Sequence, residues 1–207
     1  YMKTIAIELN HVIRNINKQI AKYYFRDYNS SLTEDEYEKI DSVKENVLDK
    51  YIDFENKCDL MQFLYEDYPY EIFGCANPID KDLPGNINTW LYNISNYEKE
   101  DIRVIYFSLY EDALTIQSTY FFLSKIGTRV RNVILPKNIE EVYKVADAII
   151  TSDKKILLNS PIKIKRILVN NNGTKSKDAT KTMLNYDSLN DIIRDKIFLD
   201  YMTNNKK

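Results

Sequence analysis

Residues 3–15 read KTIAIELNHVIRN. Thr4 to Leu9 form a short apolar run bounded by a polar turn, the pattern of a strand buried in a sheet. The chain then enters a turn and a helix. In an open α/β sheet, ligands bind in the crevice beyond the carboxyl ends of the strands. Glu8, Asn10, His11 and Arg14 therefore stand where chemistry is first sought.

Outward from that strand, residues 12–28 carry Val12, Ile13, Ile16, Ile20 and Tyr23/Tyr24 at helical spacing. Thr33 with Glu36 three residues later makes a capping-box pattern. A long charged helix is expected from there to about Lys57, its acidic run paired with Lys39, Lys44 and Lys50 on a solvated face. The segment 60–73, LMQFLYEDYPYEIF, is aromatic and interrupted by Pro69. A loop marked by Pro78 and Pro84 precedes a helix around Asn88 to Tyr97.

The texture changes at Asp101. IRVIYFS is a strand ending in Ser108, and Ala113 to Ile126 a helix closed by Gly127. VRNVILP is a third strand, 138–146 a short helix, ADAIITS a fourth strand and KIKRILVN (163–170) a fifth. A polar loop leads to a C-terminal helix from Ser188 to Met202. Strands alternating with helices imply an α/β fold, a Rossmann-like parallel sheet flanked by helices. Residues 1–14 and 101–207 form its core, and 15–100 a helical cap inserted after the first strand.

Composition narrows the function. The 207 residues are 44% hydrophobic and 29% charged, ordinary for a globular chain, and no apolar run reaches the ~18 residues of a membrane span. A formal charge of −2 argues against a dedicated nucleic-acid binder. Cys58 and Cys75 lack CxxC spacing and point to a reduced, cytoplasmic protein. The Tyr, Asn, Lys and Ile content resembles that of an AT-rich coding source, a bacteriophage or low-GC bacterium, with the virion as the other expected location.

IAIELNHVIRN, VIYFS, a lysine beyond that strand (Lys125, with Lys137 as rival) and ADAIITSD occur in an order and spacing that resembles the haloacid-dehalogenase (HAD) superfamily, particularly its small deoxynucleotidase-like members. The resemblance covers residues 3–14 and 101–170. It implies an Asp nucleophile that forms a phospho-enzyme, and a second Asp two residues on as acid and base. It also implies a Ser/Thr and a Lys that hold the phosphoryl oxygens, and Mg²⁺ held by acidic residues after the fourth strand.

This chain departs from that pattern in several places. The nucleophile position is Glu8, one methylene longer, which displaces in-line attack by about an ångström. The acid/base position is Asn10, which exchanges no proton. The small glycine position is His11. Thr151 and Ser152 replace the paired acidic ligands, leaving Asp147 before the strand and Asp153 a step late. No metal is expected, and Mg²⁺ enters only with catalysis.

Each residue also has a plainer role. Glu8 can be a strand-end hydrogen-bonding group, Asn10 a turn former, His11 a helix-start residue, and Lys125 a cation at a helix C-terminus. Three functions stay open: a non-enzymatic binding or assembly protein with protein partners or copies of itself; a non-catalytic binder of a nucleotide or phosphorylated small molecule using Ser108, Lys125 and Arg14; and a surviving phosphatase acting through Glu8. The aromatic segment 65–76 is either a partner-binding patch or the packing of cap on core. The basic loop around Gly173 is either a phosphate contact or plain surface.

Overall fold

The protein is an α/β structure built on six parallel strands in the order β3-β2-β1-β4-β5-β6, a Rossmann-like arrangement. The computed structural model describes residues 2–28, 33–40, 52, 54, 57–95, 101–169, 183–196 and 198–203. The strands are β1 (Lys3–Glu8), β2 (Ile102–Phe107), β3 (Asn132–Ile134), β4 (Ala148–Thr151), β5 (Lys165–Val169) and β6 (Met183–Tyr186).

Alternation along each strand divides the core into two layers. Ile5 and Ile7 of β1, Val104 and Tyr106 of β2, and Ile167 and Val169 of β5 face one side. Ala6, Ile105, Phe107, Ile149 and Leu168 face the other. The central strand is apolar on both faces because helices cover both. Helix α4 (Leu83–Ser95), α5 (Ala113–Lys125), α8 (Leu189–Arg194) and α9 (Phe198–Thr203) contribute to the first layer. Helices α6 (Ile139–Val145) and α7 (Lys154–Leu158) contribute to the second.

Between β1 and β2 the described residues are helical or irregular. Helix α1 (Ile16–Asp27), α2 (Glu34–Glu38) and α3 (Lys57–Gln62) are followed by two π-helical turns, Phe63–Asp67 and Tyr70–Gly74. Ile16, Ile20, Tyr24, Phe25, Phe63, Ile72 and Phe73 make a third core of their own. The block 15–100 thus divides: its first part closes on itself, while α4 joins the sheet through Leu83, Ile87, Trp90 and Ile94.

Other elements differ from the sequence reading. The helix expected from Val12 starts at Ile16, where Asn15 caps the Lys18 N–H, because residues 9–14 curl into a tight loop: Ile13 and Arg14 both donate to the Leu9 carbonyl. Pro84 lies inside the first turn of α4, where its missing N–H costs no hydrogen bond. Strand β6, helix α7 and the break of the C-terminal helix at Asp195 were not anticipated. Thr33 and Glu36 do form the reciprocal cap, Glu36 accepting from Thr33 N (2.9 Å) and Thr33 Oγ1 from Glu36 N (3.2 Å). The expected charged helix beyond Ile40, with Lys44 and Lys50, and the loop around Gly173 lie outside the described residues, as does the side chain of Cys58. No helix among the described residues is long and apolar enough to cross a membrane.

Helix α5 ends as expected. Gly127 takes φ +63°, and the Thr128 N–H reaches back to the Leu123 carbonyl (3.3 Å). A Cβ at Gly127 would meet no atom within 4 Å, so Gly127→Ala isolates backbone strain. It should lower stability by about 1 kcal/mol in chemical denaturation, with an unchanged fold.

Candidate functional site

The carboxyl ends of β1, β2 and β4 surround a cavity of about 640 Å³. It lies where the strand order reverses, with β1 between β2 and β4. Glu8, Asn10 and His11 reach it from the end of β1, Tyr110 from the loop after β2, Tyr143 from α6, and Ser152 to Lys155 from the start of α7. Two of these residues hold left-handed backbone, His11 at φ 68° and Tyr110 at φ 61°. Outside glycine this conformation is uncommon, and for a bulky Tyr it is strained. The glycine expected at position 11 by resemblance is therefore matched by a backbone that suits glycine.

Glu8 borders the cavity yet is only 8% exposed. Burial first, then the nearby Asp153 carboxylate, push its carboxyl up from 4.5 to about 8, with a hydrogen bond from the Thr151 hydroxyl partly offsetting them. At neutral pH Glu8 is thus largely a neutral acid. Thr151 Oγ1 also accepts the Asp153 N–H (2.9 Å), and Asp153 in turn caps α7 by accepting from Lys155 N (2.8 Å).

Arg14 does not face this cavity. It is wholly buried, with its guanidinium between the rings of Phe73 (5.2 Å) and Phe122 (5.4 Å). Its donors go to Glu111 Oε1 (3.1 Å), Thr119 Oγ1 (2.7 Å), the Phe73 carbonyl (3.0 Å), Asn10 Oδ1 (2.9 Å) and Ser108 Oγ (3.4 Å). Ser108 and Thr119 both donate to the same Glu111 oxygen, at 2.8 and 2.7 Å. Burial weakens the hold of Arg14 on its proton, and the Glu111 carboxylate offsets only part of that. Asn10 and Ser108, read as the acid/base and phosphate positions, are thus drawn into one internal network with Arg14.

Lys125 is turned inward as well. Its ammonium donates to the carbonyls of Gly74 (3.1 Å) and Ala76 (2.7 Å) and lies over the Phe121 and Phe122 rings. It fastens α5 to the second π-helical turn. Lys137 is exposed just before α6. Asp147 sits at the opposite end of the sheet, accepting the Thr4 N–H at 2.8 Å. Its side chain closes the amino edge of β1 and is remote from the cavity.

The donor set does not suit a resident Mg²⁺. Thr151 and Ser152 occupy the acidic positions, Glu8 is held toward its neutral form, and Asp153 is bonded to its own helix. Among the described residues no three His, Cys, Asp or Glu side chains converge on one point, as a dedicated metal site needs. Sequence reasoning missed Glu111, Thr119, Tyr110 and Tyr143. Only Glu111 had a local signal, a carboxylate three residues past Ser108. Neither protein-family models nor curated proteins give a match to this chain.

Two measurements probe the site. Arg14→Ala leaves a buried Glu111 carboxylate uncompensated and should cost roughly 3–5 kcal/mol in denaturant titration. For Glu8, the folded state binds its proton more tightly than the unfolded chain. Its contribution to stability is therefore full below about pH 4.5 and is lost as pH rises toward 8. Glu8→Gln should remove that decline, giving a higher Tm than the parent at pH 8 and a smaller difference at pH 5.

Proposed function

We propose that this protein is a HAD-like fold whose phosphoryl-transfer apparatus has been converted to structural use, and that it works by binding rather than by hydrolysis. The observation that carries this reading is the Arg14 network. Asn10 and Ser108 both accept from a buried arginine, Ser108 also donates to Glu111, and Lys125 is spent on backbone carbonyls. Glu8, the remaining carboxyl, is largely protonated at neutral pH, and a protonated carboxyl is a poor nucleophile.

The same reading makes the protein an assembly or interaction component, of bacterial or phage origin. Its aromatic segment supports this only in part. Phe73 and Ile72 pack internally, and Tyr65 stacks on Phe73. Tyr70, half exposed beside Phe121, remains available to a partner. The cavity itself supports a second role, small-molecule binding without turnover.

A phosphatase assay with p-nitrophenyl phosphate and deoxynucleotides in Mg²⁺ should show no turnover by the parent. The variant Glu8→Asp, Asn10→Asp, Thr151→Asp, Ser152→Asp restores the family's carboxylates and is expected to gain measurable activity. Parent turnover abolished by Glu8→Gln would establish the phosphatase reading instead.

A further inference from the structure

Helix α5 turns an uncharged face to solvent. From Ala113 to Ser124 it has no charged residue, in a chain that is 29% charged. Helical spacing puts Ala113, Leu114, Gln117, Tyr120, Phe121 and Ser124 on one side, and all six are exposed. A surface helix ordinarily carries its charges on that side, and a helix largely apolar all round is one that something covers. Tyr70 of the second π-helical turn extends the patch, its ring 5.4 Å from that of Phe121. Helix α4 joins α5 at Asn88, which donates to the Gly127 carbonyl (3.0 Å) and accepts the Arg129 N–H (3.0 Å). It too has no charge from Leu83 to Ser95.

Charges stand at the two ends of α5. Asp112 is exposed at its start, and Arg129 and Arg131 are exposed just beyond its end, in no ion pair among the described residues. Two copies of the helix laid antiparallel bring the acidic end of each to the basic end of the other, whereas a parallel pair sets like charges together. A two-fold axis at Gln117 places Leu114 of one copy against Phe121 of the other, and Ala113 against Tyr120, a small residue against a large one. These residues stand three and four positions either side of the axis, so the face complements itself. Tyr70, Leu114, Tyr120 and Phe121 are 50%, 52%, 52% and 43% exposed. Together they leave about 400 Å² of largely apolar side chain bare, half of the ~800 Å² that each partner gives to a standard interface. The remainder falls to a polar rim.

We propose that this face of α5 pairs with the same face of a second copy of the chain, antiparallel about a two-fold axis at Gln117. The proposal rests on the reading of the protein as an assembly component and deepens it by naming the surface and the partner.

Sedimentation equilibrium of the full chain over a series of concentrations in the micromolar range tests it. The parent should reach a two-chain mass. Leu114→Glu and Phe121→Glu should each raise the dissociation constant about a hundredfold or more, since the symmetry buries each new carboxylate twice. Both positions are exposed, so both variants should keep the circular dichroism of the parent. Leu158→Glu, half exposed on α7 in the other layer, should leave the dimer unchanged. Arg129→Glu together with Arg131→Glu should weaken it about tenfold. A monomeric parent, an assembly larger than two, or a dimer indifferent to Leu114→Glu and Phe121→Glu overturns the proposal, and indifference to the arginine reversal overturns its antiparallel arrangement. A monomeric parent would leave the non-hydrolytic reading standing, whereas phosphatase turnover by the parent would remove that reading and not the dimer.

Discussion

A single guanidinium joins the two parts of this molecule. Arg14 leaves the end of the central strand, passes between Phe73 of the helical region and Phe122 of the sheet layer, and ends on Glu111. Burying such a charge costs several kcal/mol unless it is paired and its donors are satisfied. Here four side chains and one backbone carbonyl satisfy them. Those partners come from the β1 loop, the second π-helical turn, the β2 loop and α5. None of these can shift without exposing an unpaired donor or acceptor, so the relation between helical region and sheet is set by hydrogen-bond geometry as much as by apolar contact.

This arrangement separates two functions that one pocket would otherwise share. Holding the loop after β1 falls to a dry polar network, with Asn10 and Ser108 in it. The cavity beside it is a separate space, with Glu8 and Tyr110 in its wall. The left-handed backbone at His11 and Tyr110 marks the boundary between them. Their strain is tolerable because each flanking segment is fixed by other bonds, His11 by its N–H to the Arg14 carbonyl (3.0 Å) and the Tyr110 loop by Glu111.

Much of the sheet was legible. β1, β2, β4 and β5 are short apolar runs because both of their faces are covered, and Gly127 closes α5 as local chemistry requires, while the Asp112–Thr115 capping box at its start went unread. β6 was not legible. MLNY is a half-buried edge strand with no run of apolar residues, and it exists because β5 offers it a partner. The π-helical turns were hidden for a related reason, since Pro69 breaks the helix but does not say what replaces it. Of the site, the carboxyl at the end of β1 could be read locally, whereas the left-handed backbone at His11 had no signal in its own residues. The Arg14–Glu111 pair could not, because ninety-odd residues separate its members and nothing in either segment specifies the other.

The position of β1 also bears on how the chain is made. Of the six described strands it is the earliest in the chain and it sits in the middle of the sheet, yet its neighbours begin at Ile102 and Ala148. Until those arrive, an apolar strand has no hydrogen-bonding partner, and closing such long loops is entropically slow. The helical region that follows it has its own core, built from residues 16–73. That region can condense early, with Ile16 only eight residues beyond the strand. The helices between the first and second strands would then serve as a temporary shelter during synthesis, keeping a sticky central strand beside a folded surface until the rest of its sheet exists.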